Sequence, residues 1–154
     1  MFDKKIIAII NGANLDMLGD REPEIYGSET LDEIVSSLKK KAESHNSRVV
    51  HTQSNYEGDI INKINLSFLK DVEGIIINPG AWTHSSYAIA DALKNFKRKG
   101  PVFEVHLSNI NEREDFRKIN VLTGISDQIF CGKQSESYHE ALDSMINILK
   151  NKQI

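Results

Sequence analysis

The stretch Lys5-Ile6-Ile7-Ala8-Ile9-Ile10-Asn11 decides the fold. Its middle is an uninterrupted apolar run, too short for a helix and rich in β-branched residues, so it reads as a strand. Alternating polarity would mean one wet face. Continuous apolarity means cover on both faces, as in a parallel sheet. Four further runs share this character: residues 48–53, 74–78, 101–106 and 128–131, most bounded by Gly, Pro, Asn or Asp.

Between the runs lie helical patterns. Leu31, Ile34, Val35, Leu38 and Ala42 follow the 3.6-residue period, and Thr30 with Glu33 fits a capping box at the start of that helix. Ile60, Ile61, Ile64, Phe68 and Leu69 form a second stripe. Ile89, Ala92, Leu93 and Phe96 form a third, and Tyr138, Leu142, Met145, Ile146 and Leu149 the last. Such stripes are core contacts. Strictly alternating strands and helices predict a doubly wound α/β fold. Five strands point to the flavodoxin-like order 2-1-3-4-5, in a single domain over residues 1–154.

Composition narrows the function. The 154 residues carry 19 basic and 22 acidic side chains, a net charge of -3, which argues against a nucleic-acid binder. A single cysteine, Cys131, leaves no internal disulfide and no multi-cysteine metal site. The longest apolar run, Ile6 to Ile10, falls far short of the ~20 residues that span a bilayer. It is also short for a signal-peptide core, so no membrane is expected and the expected compartment is the cytoplasm.

In a doubly wound sheet, ligands bind beyond the carboxyl ends of the strands, near the switch point. After the first strand a long loop runs to Thr30, and long loops of this kind often close over a site. Gly19 and Gly27 flank a segment carrying Arg21 and Tyr26. A guanidinium beside a phenol favours the phenolate, which would make Tyr26 a base. The pattern equally suits a surface loop with Arg21 solvated and Tyr26 packed on the domain. The glycines do not have the G-x-G-x-x-G spacing of a dinucleotide site.

After the third strand comes Asn78-Pro79-Gly80-Ala81-Trp82-Thr83-His84-Ser85-Ser86. Thr83 or Ser85 suits the cap of the next helix, whose N–H groups would face an anion or hydroxyl. Asn78 and His84 would share that cleft. Taken alone, Asn78 suits a turn residue bonding its own backbone, and His84 a surface residue. After the fourth strand, Glu104 and His106 are two apart on an extended chain and so project to one side. A carboxylate beside an imidazole orients it and favours its charged form, as a general acid requires. Arg113 and Arg117, four apart, would share a helix face and clamp a carboxylate or hydroxyls. Taken alone they suit a solvated helix. His45, His51 and His139 have no partner spacing, and no histidine pattern indicates a metal. Cys131 reads as core.

These residues form a pattern. Asn11-Gly12-Ala13-Asn14-Leu15, Leu18-Gly19 and Arg21-Glu22-Pro23-x-x-Tyr26-Gly27 closely resemble the opening of type II 3-dehydroquinate dehydratases. Gln53-Ser54-Asn55, Glu57-Gly58, Ile77-Asn78-Pro79-Gly80-Ala81-x-Thr83-His84, Glu104-Val105-His106-Leu107-Ser108-Asn109 and Arg113-Glu114-x-Phe116-Arg117 match further blocks in order. The resemblance covers most of the chain.

It implies a flavodoxin-like fold, a homododecamer built of trimers, and conversion of 3-dehydroquinate to 3-dehydroshikimate and water in the shikimate pathway or quinate breakdown. It implies no metal and no cofactor. Tyr26 matches the tyrosinate that removes the C2 proton, and Arg21 its activator. Asn14 matches the holder of a water on the enolate. His106 matches the acid for the C1 hydroxyl, oriented by Glu104. Asn78, His84, Arg117 and the backbone at Leu107 and Ser108 match substrate-binding positions. Arg113 matches the arginine placed near the tyrosine on lid closure, and Asp91 an aspartate that reaches a neighbouring subunit's site. Departures include Ala13 for proline, Asp16 for asparagine or glycine, Tyr56 for histidine, Ala90 for arginine and Ile119-Asn120-Val121 for His-Ser-Tyr. None alters a matched acid or base. A non-catalytic polyol-acid binder on the same fold would need Asn78, His84 and Arg117, but not Tyr26, Arg21, Glu104 and His106 together. A flavodoxin-like electron carrier would need a Ser/Thr/Gly-rich phosphate loop after the first strand.

Overall fold

The computed structural model describes residues 3–152. Strands β1 (Lys5–Asn11), β2 (Ser47–Gln53), β3 (Val72–Asn78), β4 (Val102–His106) and β5 (Gln128–Cys131) form one parallel sheet in the order β2-β1-β3-β4-β5. The helices are α1 (Pro23–Tyr26), α2 (Leu31–Ser44), α3 (Glu57–Leu69), α4 (Tyr87–Phe96) and α5 (Glu136–Asn151).

The unbroken apolarity of β1 has the expected cause. Successive side chains leave a strand on opposite faces. Ile7 and Ile9 join a core with α2 and α5, while Ala8 and Ile10 join a second core with α3 and α4. In β3, Ile76 takes the first face and Ile75 and Ile77 the second. Each such fully buried isoleucine contributes roughly 1.5–3 kcal/mol. On β4, Val102 faces the α3 and α4 side, so by the same period Glu104 and His106 do too.

The Thr30 capping box is present: Glu33 N donates to Thr30 Oγ1 at 3.2 Å, and Thr30 N to Glu33 Oε2 at 2.9 Å. Other boundaries differ from the sequence reading. Pro101 lies outside β4 because it has no N–H for the ladder; it contributes only its carbonyl, to Ile75 N at 3.0 Å. Neither Thr83 nor Ser85 caps α4. Gly80–His84 first form a 3-10 turn, which delays the helix until Ser86, whose hydroxyl accepts from Ile89 N at 3.0 Å. In α3 the buried line runs Ile60, Ile64, Ser67, leaving Phe68 and Leu69 turned outward. Cys131 is half-buried rather than core, because β5 is an edge strand. Among the described residues no helix is long and apolar enough to cross a membrane.

Candidate active site

The ends of β1, β3 and β4 meet at the switch point of the sheet. Two turns touch there: Gly12 N donates to the Asn78 carbonyl at 2.8 Å. A side chain at position 12 would run into the Pro79 carbonyl, which explains the glycine. Beyond this seam opens a cleft of about 210 Å³. Asn14, Arg21 and Tyr26 reach it from the segment after β1, and Asn78 and His84 from β3 and the turn beyond. His106, Leu107 and Ser108 reach it from the end of β4, with Arg113 and Arg117 from the segment that follows.

The segment between β1 and α2 has local structure of its own. Residues Leu15–Met17 form a 3-10 turn and Pro23–Tyr26 a single helical turn. Gly19 and Gly27 sit at φ of 95° and 91°, where side chains are strained, so both ends of the Tyr26 segment reverse direction on glycine. Asn14 is itself left-handed, at φ 67°. Its backbone N–H donates to Asn55 Oδ1 at 2.8 Å, and Asn55 Nδ2 donates to Asp16 Oδ2 at 3.2 Å. Asn55 thus ties both ends of this turn to the end of β2.

Tyr26 is gripped by two guanidiniums. Arg113 Nη1 donates to its hydroxyl at 2.6 Å. Arg21 lies on the ring, with Cζ 5.1 Å from the centroid, and Arg113 Cζ stands 5.4 Å from it. Arg113 and Arg117 do not share an α-helix. Arg117 sits in a 3-10 turn, Asp115–Lys118, and Arg113 is extended, yet both line the cleft. Glu114 steadies Arg117 through Nε at 2.9 Å. Its own backbone hydrogen bond, then the Arg117 and Arg113 charges, hold the Glu114 carboxyl below the ordinary carboxylate value.

Glu104 and His106 meet as their spacing predicts. His106 Nε2 lies 2.5 Å from Glu104 Oε1, and Glu104 is fully buried. The same carboxylate accepts from Asn120 Nδ2 at 2.7 Å and Ser126 Oγ at 3.1 Å. Asn120 Oδ1 accepts from Leu122 N at 2.8 Å, which turns its Nδ2 toward Glu104. Asn120 thus presents a donor to Oε1, so that oxygen accepts from it. With Oε1 as the accepting oxygen of this contact too, Nε2 of His106 holds the proton between them and Nδ1 is the nitrogen left for chemistry. His84 is oriented likewise. Its Nδ1 is 2.7 Å from the Ile119 carbonyl, which only accepts, so the proton sits on Nδ1.

Asn78 makes the turn bond and also lines the cleft. Gly80 N donates to its Oδ1 at 3.1 Å, a turn bond to its own backbone, and Nδ2 donates to Tyr138 at 3.0 Å. The start of α4 does not line the cleft, so its N–H groups are not the anion donors expected there. Asp91 is exposed on α4, away from the cleft. Glu104 stands behind His106 rather than on the cleft wall. Among the described residues no group of three or more His, Cys, Asp or Glu side chains is gathered to hold a metal ion. Sequence reasoning missed Asn120, Ser126, Asn55, Tyr138 and His51 as supports of the site. Two of them carried a signal: Asn55 lies in the matched block Gln53-Ser54-Asn55, and Asn120 in the departure from His-Ser-Tyr.

Known proteins match this arrangement along nearly the whole chain. The family model for dehydroquinase class II matches residues 5–146. A 3-dehydroquinate dehydratase of Prochlorococcus marinus is 47% identical over 146 residues, 95% of this chain and 97% of the relative. One from Psychromonas ingrahamii is 45% identical over 145 residues, 94% of this chain and 95% of the relative. The crystal structure of a type II dehydroquinase from Butyrivibrio crossotus superposes with a TM-score of 0.90 at 42% identity, covering 95% of this chain and 99% of that one. A match to the family model over nearly the whole chain, with relatives of this identity, means that the chain belongs to the class II dehydroquinase family.

Proposed function

We propose that this chain is a 3-dehydroquinate dehydratase, a hydro-lyase of the shikimate pathway that forms 3-dehydroshikimate and water in a single catalytic domain. The observation that carries the reading is the gathering of a base and an acid in one cleft. Tyr26 has Arg113 on its hydroxyl, and His106 is backed by the buried Glu104.

Tyr26, as phenolate, takes the proton from C2, next to the ketone. The C–H electron pair moves toward the ketone oxygen and gives an enolate. Arg113 donates to the tyrosine oxygen, which is negative before it accepts the proton, while the Arg21 charge lies over the ring. Asn14, held left-handed by Asn55, supports the water on the enolate oxygen. When the ketone re-forms, the C1–C2 double bond closes and the C1 hydroxyl departs. It takes a proton from His106 and leaves as water. The enzyme has then moved one proton from His106 to Tyr26, and returning it resets the site. General acid or base action of this kind is worth about 10²–10⁴-fold each. Asn78, His84, Arg117 and the backbone at Leu107 and Ser108 hold the substrate's hydroxyls and carboxylate, with Arg113 closing over it.

The same reading includes a cytoplasmic homododecamer built of trimers, in which Asp91 serves a neighbouring subunit's cleft. Its support is the exposed face of α4, where Tyr87 and Asp91 lie one turn apart. Adding 3-dehydroquinate to the purified protein tests the function. The conjugated enone of the product should appear in the ultraviolet, and an unchanged spectrum would refute the activity.

A further inference from the structure

A line of polar side chains crosses the core from the cleft to the edge strand β2. It begins at Gly80, whose backbone N–H donates to Asn78 Oδ1 at 3.1 Å. A backbone amide only donates, so it fixes which end of the Asn78 amide faces it. Nδ2 therefore turns to the Tyr138 hydroxyl, 3.0 Å away. That oxygen accepts from Asn78 and passes its own proton on to Asn11 Oδ1. Asn11 Nδ2 in turn meets His51 Nε2 at 3.0 Å. The polarity set at Gly80 thus arrives at His51 as a demand for a lone pair on Nε2.

The chemistry of each member suits this direction. Tyr138 is fully buried, and burial drives its pKa up, so the phenol keeps the proton it donates. Burial, and then the Lys39 charge, lower the pKa of His51, which favours the neutral ring with a free lone pair. Asn11 and Asn78 are buried too. A hydroxyl in an apolar core is costly unless bonded, and phenylalanine would bring the same ring without that demand. Asn78 Nδ2 carries two hydrogens; Tyr138 takes one, and one remains at the cleft wall.

We propose that Tyr138, Asn11 and His51 are positioning residues for the substrate, holding the Asn78 amide so that it offers the cleft an N–H donor for a hydroxyl or carboxylate oxygen. Without the Tyr138 hydroxyl only the Gly80 bond holds the amide, and Nδ2 loses the partner that fixes its direction at the cleft. This rests on the reading of Asn78 as a substrate-binding residue.

Steady-state kinetics with 3-dehydroquinate on Asn78→Ala, Tyr138→Phe, His51→Leu and His51→Gln, each checked for folding by its melting temperature, test it. Asn78→Ala and Tyr138→Phe should each raise KM about tenfold with kcat changed less than about threefold, the mark of lost uniform binding. His51→Leu should raise KM about threefold, and His51→Gln, whose Oε1 can accept from Asn11, should restore it. A merely structural role would lower melting temperature in all three chain variants without this split. If Asn78→Ala raises KM and folded Tyr138→Phe does not, the chain is overturned while the Asn78 assignment stands. Unchanged KM in Asn78→Ala overturns both. If Tyr138→Phe does not fold, the histidine pair decides: equal KM for His51→Leu and His51→Gln overturns the proposal.

Discussion

Tyr26 stands between two guanidiniums that make different contacts. Arg113 reaches the oxygen that changes charge, while Arg21 lies over the ring and pairs with Glu22 at 3.6 Å. A charge-assisted hydrogen bond is worth about 1.5–3 kcal/mol, so Arg113→Ala should lower kcat/KM by roughly ten- to a hundredfold. Arg21→Ala should cost less, since a cation over a ring at a partly exposed site contributes only about 0.5–1 kcal/mol. Equal or greater loss from Arg21→Ala, measured side by side, would make Arg21 the main activator, as the resemblance implies. Local spacing paired Tyr26 with Arg21, whereas Arg113, from a distant segment after β4, was tied to the tyrosine only by the resemblance. Glu104 and His106 were easier to read, since a strand fixes which side residues two apart will face. Asn120 and Ser126, which complete the carboxylate's shell, come from a loop whose path depends on tertiary packing.

The turns after β1 and β3 act as one element. Gly12 gives the Asn78 carbonyl a hydrogen bond and leaves no room for a side chain against Pro79. Gly12→Ala should therefore separate the turns, at a cost of about 1–3 kcal/mol in stability, and displace Asn14 and Asn78 together. Urea unfolding should show the lower midpoint, and KM should rise. A variant with wild-type stability and KM would mean that the seam does not set the site. The strands and main helices were legible because two-sided burial writes continuous apolar runs and one-sided burial writes 3.6-residue stripes. The start of α4 was not. Its capping residues compete within a few positions, and the 3-10 turn at Gly80–His84, not local propensity, selects Ser86.

For the molecule as a whole, the topology gathers chemistry from three separated segments onto one edge of the sheet. That edge was predictable from strand order alone, because a doubly wound sheet leaves its crevice where the order reverses. The partner surface was less so: Asp91 lies outside this cleft, and its place in a neighbouring subunit's site is the proposal above. Native mass measurement should find an assembly of twelve subunits, and a monomer at working concentration would contradict that part of the account. The division of labour between base and acid is the central claim, and one measurement addresses it most directly. Product formation from 3-dehydroquinate should be followed in the ultraviolet for the unaltered protein, Tyr26→Phe and His106→Ala under identical conditions. The unaltered protein should form the enone, and each variant should lose about 10²–10⁴-fold in kcat while remaining folded. Near-normal turnover by either variant would contradict the account and remove that residue from the proton path.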